Sequence, residues 1–160
     1  MSITIKNLEA AFAGESQAHV KYRYFAKIAR EEGYEDVAKH FEHTADQELL
    51  HAWGHLELLV GKTTTKECLK MAIKGETQEF TVMYPAMEAD ALLEGAQEAA
   101  REIREQIEES KEHADAFEMH LKEMDDKFKT TLSRAQKRFS ALKKVERRHA
   151  AAYQQQLEKL

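Results

Sequence analysis

From Ala96 onward, apolar or small residues return every three or four positions: 96, 99, 103, 107, 110, 114, 117, 121, 124, 128, 132, 135, 139, 142 and 145. His149 and Tyr153 continue the row. This spacing draws one stripe along an α-helix, and no Gly or Pro interrupts it after Gly95. It predicts either one very long helix or a hairpin of two. Upstream, helical spacing predicts a first helix from about Asn7, or a little earlier, to about Arg30. Leu8, Ala11, Phe12, Val20, Tyr24 and Ile28 are among its apolar positions. "EEGYED" (31–36) reads as a turn with Gly33 as the C-terminal cap. A second helix follows from about Glu35 to Val60, and "GKTTTK" (61–66) breaks the pattern again. A third helix starts near Lys66 and runs through Pro85, whose missing N–H should kink or open it.

The chain also echoes itself. "AAFAGESQA" (10–18) resembles "KMAIKGETQE" (70–79), with Gly14-Glu15 and Gly75-Glu76 lying 61 residues apart. Two similar helices suggest a bundle built from two related helical hairpins. Trp53, Phe41, Met83 and Met87 fall at helical spacing and read as core. Composition agrees with an all-α chain, since 160 residues include one Pro and six Gly and a third are charged. That length is enough for one domain over 1–160. The net charge of −5 comes from interspersed acids and bases, so no nucleic-acid partner is expected. No apolar run approaches ~20 residues, so no membrane span is expected. "MSITIKNLEA" has no signal-peptide core, and Cys68 stands alone, so a reducing cytoplasm is the expected location.

The acids that fall on inward helical faces carry the chemistry. Glu15 lies in the first helix, Glu48 and His51 ("ELLH") in the second, and Glu76 and Glu79 ("ETQE") in the third. Glu146 and His149 ("ERRH") lie in the last. A Glu and a His three apart share one face of a helix. A four-helix bundle can hold two iron or manganese ions with one Glu from each of two helices and a Glu-x-x-His from each of the others. Carboxylates offset the charge of two divalent cations, and an imidazole gives each a neutral ligand. Without a metal or other partners, buried carboxylates would be heavily penalised. Glu102, Glu105, Glu108, Glu109 and Glu112 read instead as a solvated face.

"AFAGESQA", "QELLHA", "GETQEFTVMYP" and "KKVERRHAAAY" together resemble the rubrerythrin family, over most of residues 3–87 and about 136–157. The resemblance implies a ferritin-like four-helix bundle with elongated C-terminal helices and two bound irons, with Mn or Zn as substitutes. It implies a peroxidase that reduces hydrogen peroxide with electrons from an external donor such as rubredoxin, in protection against oxidative stress. Glu48 and Glu146 would bridge the metals, Glu15 and Glu76 would cap them, and His51 and His149 would each bind one. Glu79 would exchange with His51 on oxidation, and Tyr22 and Tyr84 would hydrogen-bond ligand carboxylates. Two other functions stay open: a ferroxidase or O2-activating di-iron oxidase, and a structural scaffold with a vestigial site.

Three departures from that family shape the expectations. A single Cys leaves no four-thiolate iron segment in these residues, so electrons come from outside. The link after Val60 is too short to return along a bundle: five or six extended residues span at most ~20 Å. A return of roughly 25–30 Å is needed. That predicts a domain-swapped homodimer with each site built from two chains. Finally, the repeat would put the last motif near 109–113, where His113 follows Ser110 rather than a Glu. The full motif at Glu146/His149 is preferred because a site needs the carboxylate, which makes about 96–130 a helical extension.

Overall fold

The computed structural model describes residues 2–157. The described residues form helices and no strand: α1 (Ile3–Glu31), α2 (Glu35–Val60), α3 (Thr65–Gln78), a π-helical turn (Glu79–Met83), α4 (Tyr84–Leu93) and α5 (Gln97–Leu157). The all-α class read from the stripe pattern is therefore correct. The chain divides into two compact units, Met1–Thr63 and Thr64–Leu160.

In the first unit, α1 and α2 form a helical hairpin. Ser2 caps α1 by accepting a hydrogen bond from the Ile5 amide. α1 stops at Gly33, whose φ of +86° suits a residue without Cβ, and the Tyr34 amide closes back onto the Ala29 carbonyl at 2.8 Å. The interface is lined with alanine: Ala26, Ala29, Ala38, Ala45 and Ala52 are buried. Small side chains let two helix backbones approach closely. Phe41 packs against this cluster, and Tyr22, Phe25 and Phe41 stack with ring centroids 5.6–6.2 Å apart. His19 Nδ1–H donates to the Ala45 carbonyl at 2.7 Å. Arg23 pairs with Asp46, and Arg30 with Glu35 and Glu42.

In the second unit, Thr64 and Glu67 form a capping box that starts α3. Ahead of Pro85 the helix opens into the π turn, in which the Tyr84 amide bonds the Glu79 carbonyl five residues back. Pro85 has no N–H to give the preceding turn, so the expected disturbance takes this form. Gly95, with φ of +74°, ends α4 as Gly33 ends α1.

α5 is one helix of 61 residues, about 90 Å long, rather than a hairpin. It runs antiparallel to α3 and α4. Arg104 meets Glu88, Ser110 meets Glu79, His113 meets Glu76, and Lys66 meets Asp125. Thr65 begins α3, so the opposing helix ends where Asp125 is reached. Past that point Ala135 is half-buried and the other residues described through Ala151 are exposed. The segment 96–130 is thus mostly packed body, and the extension lies beyond Asp125.

Among the described residues no large side chain is fully buried. Trp53 is 54 % exposed and Met87 47 %, so in the single chain they are not core. A two-helix layer has too little interior to enclose them.

Candidate metal centre

Each unit holds one group of ligand-type side chains. In the first, Glu15 on α1 faces Glu48 and His51 on α2, and one ligand atom from each lies within 4.8 Å of the others. His51 Nδ1 is 3.2 Å from Glu48 Oε2 and 4.0 Å from Glu15 Oε2. The helix period puts Glu48 and His51 on one face, and the alanine interface brings that face to α1. Glu15 and Glu48 are hydrogen-bonded side chain to side chain. The hydrogen bond to Glu48, then burial and the charge of Glu48, hold Glu15 above its ordinary range. Accepting that bond, with His51 adding to the effect, holds Glu48 below its own. Two carboxylates at this distance cannot both ionise freely unless a cation joins them. A divalent metal would displace the proton, and the oxygen and imidazole donors suit iron, manganese or zinc.

In the second unit, Glu76 Oε2 lies 3.5 Å from His113 Nδ1, and Ser110 Oγ donates to Glu79 Oε2 at 3.2 Å. Ser110 is 5 % exposed, the one buried polar residue in the described core. Burial, then the charges of Glu79 and Glu76, raise the Tyr84 phenol above its ordinary pKa. Tyr84 therefore lies within the field of both carboxylates. Tyr22 sits in the aromatic cluster with Phe25 and Phe41.

Glu146 and His149 are exposed on the tail of α5. They lie 33 and 36 residues beyond His113, roughly 50 Å along the helix. Within the second unit they reach neither Glu76 nor Glu79, because the register of α5 on α3 places His113 there. The structure therefore brings His113, and not Glu146 or His149, beside Glu76. The missed signal was in the sequence. Tyr22, Gly33 and His51 recur 62 residues later as Tyr84, Gly95 and His113, and the buried Ala29, Ala38 and Ala52 recur as Ala91, Ala100 and Ala114. The offset grows from 61 to 62 between Glu76 and Tyr84, where the π turn takes up one extra residue.

The rubrerythrin family model matches residues 6–121. A rubrerythrin of Porphyromonas gingivalis is 37% identical over 138 residues, covering 78% of this chain and 69% of that protein. A putative rubrerythrin of Methanocaldococcus jannaschii is 35% identical over 148 residues, covering 79% and 72%. A nigerythrin of Nitratidesulfovibrio vulgaris is 40% identical over 110 residues, covering 60% and 54%. Among solved structures, fully reduced, all-ferrous nigerythrin aligns with 33% identity over 78% of this chain and 69% of that one, at a TM-score of 0.40.

Proposed function

The chain belongs to the rubrerythrin family of ferritin-like, di-iron proteins, and from that premise we propose that it is an iron-dependent peroxidase reducing hydrogen peroxide to water. The observation that carries the reading is the convergence of Glu15, Glu48 and His51 from two helices, with a second carboxylate–imidazole pair at Glu76 and His113 and Glu79 one helical turn further on. The six side chains would together hold two iron ions. Iron held there would supply the two electrons needed to cleave the O–O bond, with two protons completing two waters. The carboxylates offset the cationic charge, and each imidazole gives one neutral nitrogen. Tyr84 keeps its phenolic proton at neutral pH and can donate it in a hydrogen bond to Glu76 or Glu79. Tyr22 packs with Phe25 and Phe41 farther along α1. These residues hold one Cys, so no four-thiolate iron site forms among them, and the proposed electron source is a rubredoxin-type centre outside them.

The two groups would meet across two chains. His51 lies nine residues before the end of α2, and Glu76 lies eleven past the start of α3. In a bundle with α2 and α3 parallel, the link would climb back about 30 Å. Residues 61–64 span at most ~14 Å. A homodimer in which each chain completes the other's centre meets that limit, and it covers exposed apolar residues such as Trp53 and Leu50. Among the described residues no helix is long and apolar enough to cross a membrane.

Stopped-flow oxidation of the anaerobically loaded ferrous protein tests the activity. Oxidation by peroxide should outrun oxidation by O2 by at least tenfold. Equal or faster reaction with O2 would move the function to iron oxidation or O2 activation. A protein that folds and dimerises but binds no iron would be a scaffold with a vestigial site.

A further inference from the structure

The ligand-type residues of the first unit recur in the second, with one exception. Glu15 recurs as Glu76 at the 61-residue offset, and His51 as His113 at the 62-residue offset. Glu48 recurs as Ser110. The first unit thus gathers two carboxylates and an imidazole, with one ligand atom from each within 4.8 Å of the others. The second gathers a single pair, Glu76 Oε2 and His113 Nδ1, 3.5 Å apart. Ser110 still faces the helix interface. It is 5 % exposed, on the buried stripe of α5 that also carries Ala100 and Ala114. Its hydroxyl already donates to Glu79 Oε2 at 3.2 Å. Glu79 stands one helical turn beyond Glu76, where the π turn begins. A serine hydroxyl brings no charge, whereas the carboxylate at 48 offsets one of the two charges of a divalent cation.

Resting on the di-iron reading above, we propose that Ser110 makes the two groups unequal as metal sites. The group of Glu15, Glu48 and His51 takes a divalent cation firmly by itself, and the group of Glu76 and His113 takes one loosely. The protein therefore fills in two separate steps and has a stable form with one metal per chain. Charge and donor count act in the same direction. Two carboxylates and a dication sum to zero, whereas one carboxylate leaves a positive charge uncompensated. In the first group the cation also replaces the repulsion between two neighbouring carboxylates. In the proposed homodimer each centre takes one group of each kind, so each has a firm and a loose position. Such a centre exchanges one metal while keeping the other, and its loose position accepts a different ion from its firm one.

Cobalt(II) and zinc(II) keep their oxidation state under argon, so binding is read apart from turnover. The full-length protein is titrated with each ion against a chelating dye, with helicity checked by circular dichroism. Wild type should take up one ion per chain, then a second at least about tenfold more weakly, because losing even an outer partner of a metal ligand costs that much. Ser110→Glu should tighten the second step at least about tenfold and leave the first within about threefold. His113→Ala should abolish the weak step and keep the tight one, while His51→Ala should weaken the tight step. Both imidazoles are about 60 % exposed, so these two variants fold whether or not Ser110→Glu does. Two ions bound by wild type with equal affinity would overturn the proposal. So would a fully helical Ser110→Glu that binds as wild type does, or a His113→Ala that loses the tight step. A wild type that takes up neither ion would instead sink the di-metal reading itself, a separate and recognisable result.

Discussion

Lys66 and Asp125 fix the point at which α5 loses its opposing helix. Their ion pair spans 2.5 Å, and hydrogen bonding to Lys66, aided by the charges of Lys129 and Lys70, holds the Asp125 carboxyl below the usual range. A depressed carboxyl contributes stability that is present above its unfolded pKa and lost as pH falls through the lowered folded value. Lys66→Met should therefore raise the Asp125 pKa towards an ordinary aspartate, read by carboxyl carbon chemical shifts in a pH titration. Both side chains are half exposed, so the accompanying loss of stability is small. An unmoved Asp125 would show that the pair does not form in solution. At the same scale, Glu15, Glu48 and His51 were legible from spacing alone, because an i, i+3 pair shares a helix face whatever surrounds it. His113 was not, because Ser110 lacks the charge that makes a Glu-x-x-His stand out. A motif can be matched at Glu146 and His149 where no opposing helix exists to use it.

Helix boundaries were the most legible feature of the elements. Gly33, Gly61 and Gly95 mark the three stops with positive φ, and α2 runs over the residues its pattern predicts. The π turn was legible only as a disturbance near Pro85, since the residue that it absorbs appears as a one-residue slip in the repeat. The continuity of α5 was left open because a 3–4 stripe repeats identically in one helix or in two. Its tail has a character of its own. Residues 126–157 hold nine Lys or Arg against Asp126 and Glu146, a bias hidden within the whole-chain charge of −5. Phe128, Leu132, Phe139 and Leu142 nevertheless stay exposed along it. Ending the chain at Asp126 should leave the melting midpoint within about 2 °C of wild type, no more than the shift that ~1 kcal/mol produces at this length. Helical ellipticity should fall only by the share of the residues removed. A larger drop in the midpoint would mean that the tail packs on the body.

At the scale of the whole molecule, the repeat is the main fact. Two units share a backbone plan, alanine-lined interfaces and a carboxylate–imidazole group each, and neither encloses a large side chain. Each half-site is open, with the His51 and His113 side chains about 60 % exposed. Residues 61–64 span less than the return that a bundle with α2 and α3 parallel needs, and the proposed homodimer would complete each centre with a second copy. Two variants test it most directly, one with Glu15→Ala and Glu48→Ala, the other with Glu76→Ala and His113→Ala. Each is loaded anaerobically with ferrous iron, alone and after co-refolding of the two with separable tags. Each alone should hold no complete two-iron centre. The purified mixed dimer should hold one complete centre, two irons for two chains. A mixed dimer with no complete centre, beside a wild type that binds two irons per chain, would contradict the account.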